Sequence, residues 1–159
     1  DIDWTTVNQY KSNFHTHTTQ SNDAIDEFST ANVVDKYHAA GYKILALTDH
    51  DTTSGNADMR RECEKNGLDY MFGCESDIDQ YMTLGIPASR FDDFGFMVIP
   101  TTHLHMTGFT IAPEDTSPAR RAELYLKRNH ALLDMDLPFS KIGLAHFTCS
   151  LMARNCARR

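Results

Sequence analysis

Ile44-Leu45-Ala46-Leu47-Thr48-Asp49-His50-Asp51-Thr52 is the stretch whose reading decides the fold. Four consecutive apolar residues between Lys43 and Thr48 are too few for a helix and read as a short strand over 43–48, buried on both faces as in a parallel sheet. The polar run Asp49-His50-Asp51 follows at once. In α/β folds chemistry collects where a parallel strand hands over to its loop, so this run is a candidate site. The plainer alternative is a polar turn with an incidental histidine, and the other histidines have to decide between the two.

Working outward, the spacing predicts strand and helix in alternation. Upstream, Asn13-Phe14-His15-Thr16-His17-Thr18 alternates with a period of two, which in a strand sets His15 and His17 on one face where two imidazoles can share an ion. Neutral imidazole suits zinc, iron or manganese better than calcium or magnesium. A helix is expected from Ser29 or Thr30 to Gly41, with a hydroxyl to cap it, an apolar stripe of Val33, Val34, Tyr37 and Ala40, and glycine to stop it. His38, beside that stripe, reads as a surface or packing residue. Downstream, 56–66 repeats the helical pattern with Met59 and Cys63 inward and Gly67 as the stop. Asp69–Cys74 then reads as a third strand with Glu75 at its end.

A fourth strand is expected at Phe96-Met97-Val98-Ile99, leading to His103-Leu104-His105, where again two histidines would share a face of an extended segment. Ser117 and Pro118 open the longest helix, with Ala122, Leu126, Leu132 and Leu133 as its apolar side, reaching about Met135. His130 within it reads as structural. The fifth strand, Lys141–Ala145, ends in His146. Every expected strand thus has a potential ligand within a residue or two of its end: His15 and His17, His50, Glu75, His103 and His105, His146. In a parallel βα array such ends converge, so the pattern points to a polynuclear metal site.

Composition bounds the alternatives. The chain has 159 residues, 41% hydrophobic and 23% charged, which fits one soluble domain over 1–159. No apolar run approaches the roughly 18 residues of a membrane span, and no signal peptide opens the sequence, so no membrane partner is expected. A net charge of −7 argues against a broad nucleic-acid footprint. The four cysteines, Cys63, Cys74, Cys149 and Cys156, lack C-x-x-C spacing. They read as reduced thiols, which with the missing signal peptide leads to the expectation of a cytoplasmic protein.

These motifs resemble the PHP family, named for its occurrence in bacterial DNA polymerases and histidinol phosphatases. His15-Thr16-His17-Thr18 is similar to its H-x-H-[ST], Thr48-Asp49-His50-Asp51 to its second motif, and Phe72-Gly73-Cys74-Glu75 to its G-x-E. Val98-Ile99-Pro100-Thr101-Thr102-His103 resembles a V-I-G-S-V-H stretch, and Ala145-His146 the last A-H-P or S-H-P. The resemblance implies an α/β fold, a distorted (β/α)7 barrel, with two or three divalent transition-metal ions (zinc, manganese or iron) at the strand ends. Carried over, His15 and His17 would bind one ion and Glu75 would bridge to a second held by His103 and His146. His50 and Asp23 would serve a third, and Glu75 and His50 count as the catalytic members.

The implied chemistry is phosphoester hydrolysis by a metal-bridging hydroxide on a small phosphorylated metabolite or a nucleotide end. A noncatalytic or regulatory module and a related amidohydrolase are the alternatives. Departures from the family pattern are Ser21-Asn22-Asp23 for S-D-G, Pro100-Thr101-Thr102 for G-S-V, and Phe147 for the usual proline. His105 competes with His103, whose place directly after the strand favours it. The late Asp-x-His of the family is absent and five strand units are legible where seven would be expected, so the chain is expected to be part of a longer one, incomplete at its C-terminus.

Overall fold

A computed structural model describes residues 3–21 and 25–146. The chain divides into two compact units, residues 1–74 and 75 onward, each described here by itself.

In the first unit, three short parallel strands, β1 (Ser12–Asn13), β2 (Ile44–Ala46) and β3 (Asp69–Met71), form a sheet in that order. Ser12 pairs with Ile44, and Ile44 with Asp69. Helices α1 (Thr30–Ala39) and α2 (Asn56–Lys65) make the two connections. Val33 and Val34 of α1 and Met59 and Cys63 of α2 meet Leu45, Leu47 and Leu68 in one core, with Tyr37, Tyr42 and Tyr70 packed around it. Burying a side chain such as Leu45 or Leu47 stabilises by about 1.5–3 kcal/mol, which is why the apolar run of β2 lies at the centre. Burial also pushes the Cys63 thiol up to about 11, so it behaves as a small apolar residue.

Both helix stops sit where glycine's left-handed freedom is required, Gly41 at φ +79° and Gly67 at φ +69°. Ser29 occupies the position before α1, yet its side chain makes no capping bond. The strand expected over 13–18 is much shorter. Asn13 Oδ1 accepts the His15 N–H at 2.9 Å, an Asx turn that diverts the backbone and ends β1 at Asn13. His15 and His17 therefore belong to the loop after the strand.

The strand expected over 69–74 is likewise two pieces. β3 stops at Met71, and β4 (Gly73–Glu75) belongs to a second sheet of order β4-β5-β6. Asn56 marks the break: its side-chain amide donates to Gly73 O at 3.0 Å, and its Oδ1 accepts the Gly73 N–H at 3.1 Å and the Tyr70 hydroxyl.

β5 (Phe96–Ile99) and β6 (Ile142–Leu144) pair in parallel, Met97 opposite Ile142. Gly143 allows this approach, since a Cβ there would lie 2.7 Å from Phe96 Cζ. Between them runs α3 (Pro118–Leu133), where Ser117 Oγ accepts the Arg120 N–H at 3.2 Å and Pro118 opens the first turn, as the sequence predicts. Its apolar side differs from expectation. Leu132 is buried, but Leu126 and Leu133 are exposed, and the residue that takes the interior position is Arg128. The extended segment expected at 103–105 is a loop. Among the described residues no helix is long and apolar enough to cross a membrane. Six strands lie among the described residues, and the parallel pairing of β1 with β2, β2 with β3 and β5 with β6 makes the fold mixed α/β with parallel strands.

Candidate metal centre

In the first unit the loop after β1 is tied to the end of β2. Thr48 N–H donates to Thr16 O at 2.8 Å, and Thr48 Oγ1 accepts the Thr16 N–H at 2.9 Å, so pairing continues past the strand through a side chain. Asp49, fully buried, accepts the Thr18 N–H at 2.6 Å, the Thr18 hydroxyl at 2.7 Å and the Ser21 hydroxyl at 2.9 Å. Of the Asp49-His50-Asp51 run, Asp49 is thus committed to holding the loop, and Asp51 is exposed at φ 51°.

The loop so held brings three imidazoles together. His15 Nε2 and His17 Nε2 are 3.1 Å apart, and the His17 and His50 rings stack at 4.8 Å and 23°. Two nitrogens on one tetrahedral zinc, each at about 2.0–2.1 Å, stand about 3.3 Å from one another, so the His15–His17 spacing fits a shared divalent ion. His17 and His50 also offer ring nitrogens within 4.8 Å of each other. Asp23, proposed from the family motif, lies outside the described residues.

Gly55 leaves the Asp49 carboxylate its space. A Cβ there would stand 2.9 Å from Leu47 Cδ2 and 3.1 Å from Asp49 Oδ2, with both neighbours fully buried. Gly55 has an ordinary φ of −78°, so the cost of a side chain is steric. Gly55→Ala is expected to destabilise by about 1–3 kcal/mol, seen as a lower urea midpoint. A loss below about 0.5 kcal/mol would show that the Asp49 pocket gives way freely.

In the second unit Glu75 ends β4 fully buried, and Ser76 N–H donates to Val98 O at 2.8 Å, tying the chain beyond it to β5. His103, on the loop after β5, has Nδ1 3.0 Å from Asp77 Oδ1 and Nε2 3.9 Å from Glu75 Oε1. A metal-ligating histidine commonly gives its other ring N–H to a carboxylate, and Asp77 stands where that partner belongs. The His103 ring stacks on His146 at 5.3 Å and 26°, and Glu75 and His146 offer ligand atoms within 4.8 Å of each other. His146 holds φ 53°, a conformation non-glycine residues adopt sparingly and that clusters at functional sites. His105 is exposed and meets His103 edge-on at 5.3 Å. His38 and His130 are exposed on their helices, His38 Nδ1 lying 2.8 Å from Asn66 O.

Sequence reasoning missed Asp77 and Ser21. Asp77 stands two residues beyond Glu75, a spacing that could have drawn attention to it. Ser21 matches the serine of the S-D-G pattern, a signal that was used only to place Asp23.

An α/β scaffold with parallel strands gathers histidines and buried carboxylates that could hold metal ions, the arrangement of a metal-dependent, hydrolase-like module when it occurs in the family to which the chain belongs. A family model described as the PHP domain matches residues 13–155, and the chain belongs to that family. No curated protein matches the chain.

Proposed function

We propose that this protein is a metal-dependent phosphoesterase acting on a small phosphorylated substrate, with His15, His17, Asp23, His50, Glu75, His103 and His146 as its metal ligands and Glu75 and His50 nearest the chemistry. The whole of 1–159 is then one PHP-type domain, and the family's distorted (β/α)7 barrel is the architecture we propose for it. Two or three bound zinc, manganese or iron ions would polarise phosphoryl oxygens and provide a deprotonated water at neutral pH.

The observation that carries this reading is the Asp77–His103–Glu75 arrangement, a buried carboxylate beside an imidazole whose far nitrogen is already held by a second carboxylate. Asp77 orients His103 and keeps its Nε2 available. His15 and His17 present two nitrogens at a spacing that suits one ion. Positive charge from the ions is what lets a chain of net charge −7 accept a phosphate, while the same charge weighs against nucleic acid as a general partner. A cytoplasmic setting is proposed on the reading of the cysteines as thiols. Cys63 and Cys74 are both buried thiols, and Cys74 Sγ donates to Asp49 O at 3.3 Å.

The test is metal content after gentle purification, followed by phosphate release across phosphate esters and amides with added manganese. At least about one equivalent of zinc, manganese or iron and turnover confined to the phosphate esters are expected. Less metal, or turnover confined to amides, overturns the reading, and metal without any turnover identifies a regulatory module. Asp77→Asn leaves volume unchanged but weakens the grip on His103. It should lower metal affinity about ten- to hundredfold, measured by chelator competition.

A further inference from the structure

Ser21 is buried, and its hydroxyl meets three groups in the first unit. It donates to Asp49 Oδ1 at 2.9 Å, accepts the His50 backbone N–H at 3.1 Å, and lies 3.1 Å from His17 Nδ1. A serine hydroxyl has one proton and two lone pairs. The proton is committed to the carboxylate, which has none to give, and the His50 amide can only donate, so it takes one lone pair. The remaining lone pair faces His17 Nδ1, and that nitrogen must carry a proton to bond with it. A neutral imidazole has one N–H, so the lone pair of His17 then lies on Nε2, the nitrogen 3.1 Å from His15 Nε2.

We propose that Asp49 and Ser21 form a positioning relay that fixes His17 in its Nδ1–H tautomer, so that its Nε2 carries the lone pair that accepts the His15 Nε2–H in the metal-free chain and that turns to a divalent transition-metal ion once that proton leaves. The relay is held rigidly. Asp49 is fully buried and takes two further bonds from Thr18, and a Cβ at Gly55 would stand 3.1 Å from its Oδ2. Ordering the tautomer before an ion arrives removes part of the cost of binding, as any preorganised donor does. This extends the reading of His17 as a ligand and rests on it, but the tautomer itself is a property of the metal-free chain.

The test is a long-range ¹⁵N–¹H spectrum of the ¹⁵N-histidine-labelled, metal-free chain at about pH 8.5, some two units above the ordinary imidazole pKa. It is run for the wild type, Ser21→Ala and Ser21→Thr, with zinc affinity measured for each by chelator competition. Wild type and Ser21→Thr should show a protonated Nδ1 and an unprotonated Nε2 on His17. Ser21→Ala should show a mixture or the reverse tautomer, with zinc affinity lower by about ten- to hundredfold. An Nε2–H tautomer in the wild type overturns the proposal, as does Ser21→Ala with unchanged tautomer and unchanged affinity. Should Ser21→Ala not fold, the wild-type and Ser21→Thr spectra decide alone. Failure of the wild type to bind zinc, manganese and iron alike would sink the phosphoesterase reading and leave the tautomer to be judged on the metal-free spectrum.

Discussion

Glu75→Gln is expected to lose at least about one ion of the proposed metal centre and nearly all of the proposed phosphoesterase activity, while the domain stays folded. Glu75 is fully buried at the end of β4, with Oε1 3.9 Å from His103 Nε2 and a ligand atom within reach of His146. A buried carboxylate is costly unless paired with positive charge, and a divalent ion beside two imidazoles is a pairing strong enough to keep one there. Glutamine matches the volume but cannot bridge two cations at the roughly 3.5–4 Å separation used in two-metal hydrolysis. In the metal-free protein the substitution keeps the side-chain volume, so the melting temperature should hold even as metal is lost. A structural carboxylate would give the opposite pair of results. The comparison is with His38→Gln and His130→Gln, both exposed, which should change neither metal content nor turnover. Metal content of Glu75→Gln equal to wild type would sink the site as proposed.

Arg128→Met is expected to destabilise the chain by about 2–4 kcal/mol. Arg128 is 4% exposed, and its guanidinium donates to Ile78 O at 2.7 Å and to Asp79 O and Thr110 O at 3.1 Å. Burial pushes its pKa below the ordinary arginine value, opposed by the Asp79 and Asp77 carboxylates, and the group remains charged. Methionine replaces the aliphatic stem but supplies no donor, and each stranded carbonyl costs about 1–3 kcal/mol, partly offset because the guanidinium's own desolvation is relieved. If only the stem mattered, the cost would stay below about 1.5 kcal/mol. Urea unfolding distinguishes the two through the midpoint at constant slope. Ile78 and Asp79 directly follow Asp77, so the same variant should also loosen the carboxylate that orients His103 and weaken metal binding.

Much of the fold was legible in the order of residues. β5 has the bounds that Phe96-Met97-Val98-Ile99 suggests, because an uninterrupted apolar run has nowhere to go but the interior. Helix α3 starts where Ser117 and Pro118 place it, and Gly41 and Gly67 stand just past the ends of α1 and α2, since capping and left-handed stops depend on neighbours a few residues apart. The candidate ligands were legible for a related reason: a strand ends where apolar residues give way to polar ones, and the histidines sit at those changes.

Contacts between distant parts of the chain were a different matter. Nothing local says that Asn13 will intercept the His15 N–H, or that Asn56 will bind Gly73 across 17 residues and divide one apparent strand into β3 and β4. Helical periodicity offered Leu126 and Leu133 for burial, but the carbonyls of Ile78, Asp79 and Thr110 needed donors, and Arg128 took the interior position. Asp77 gained its meaning from a histidine 26 residues away, and Ser21 from an aspartate 28 residues away. The sequence by itself determined the alternation of strand and helix and the kinds of donor at the strand ends, since both follow from short-range periodicity and composition. The tertiary structure alone decided which hydrogen-bond partner each donor faces, because a buried polar group must be satisfied by whatever the fold brings to it, however far along the chain.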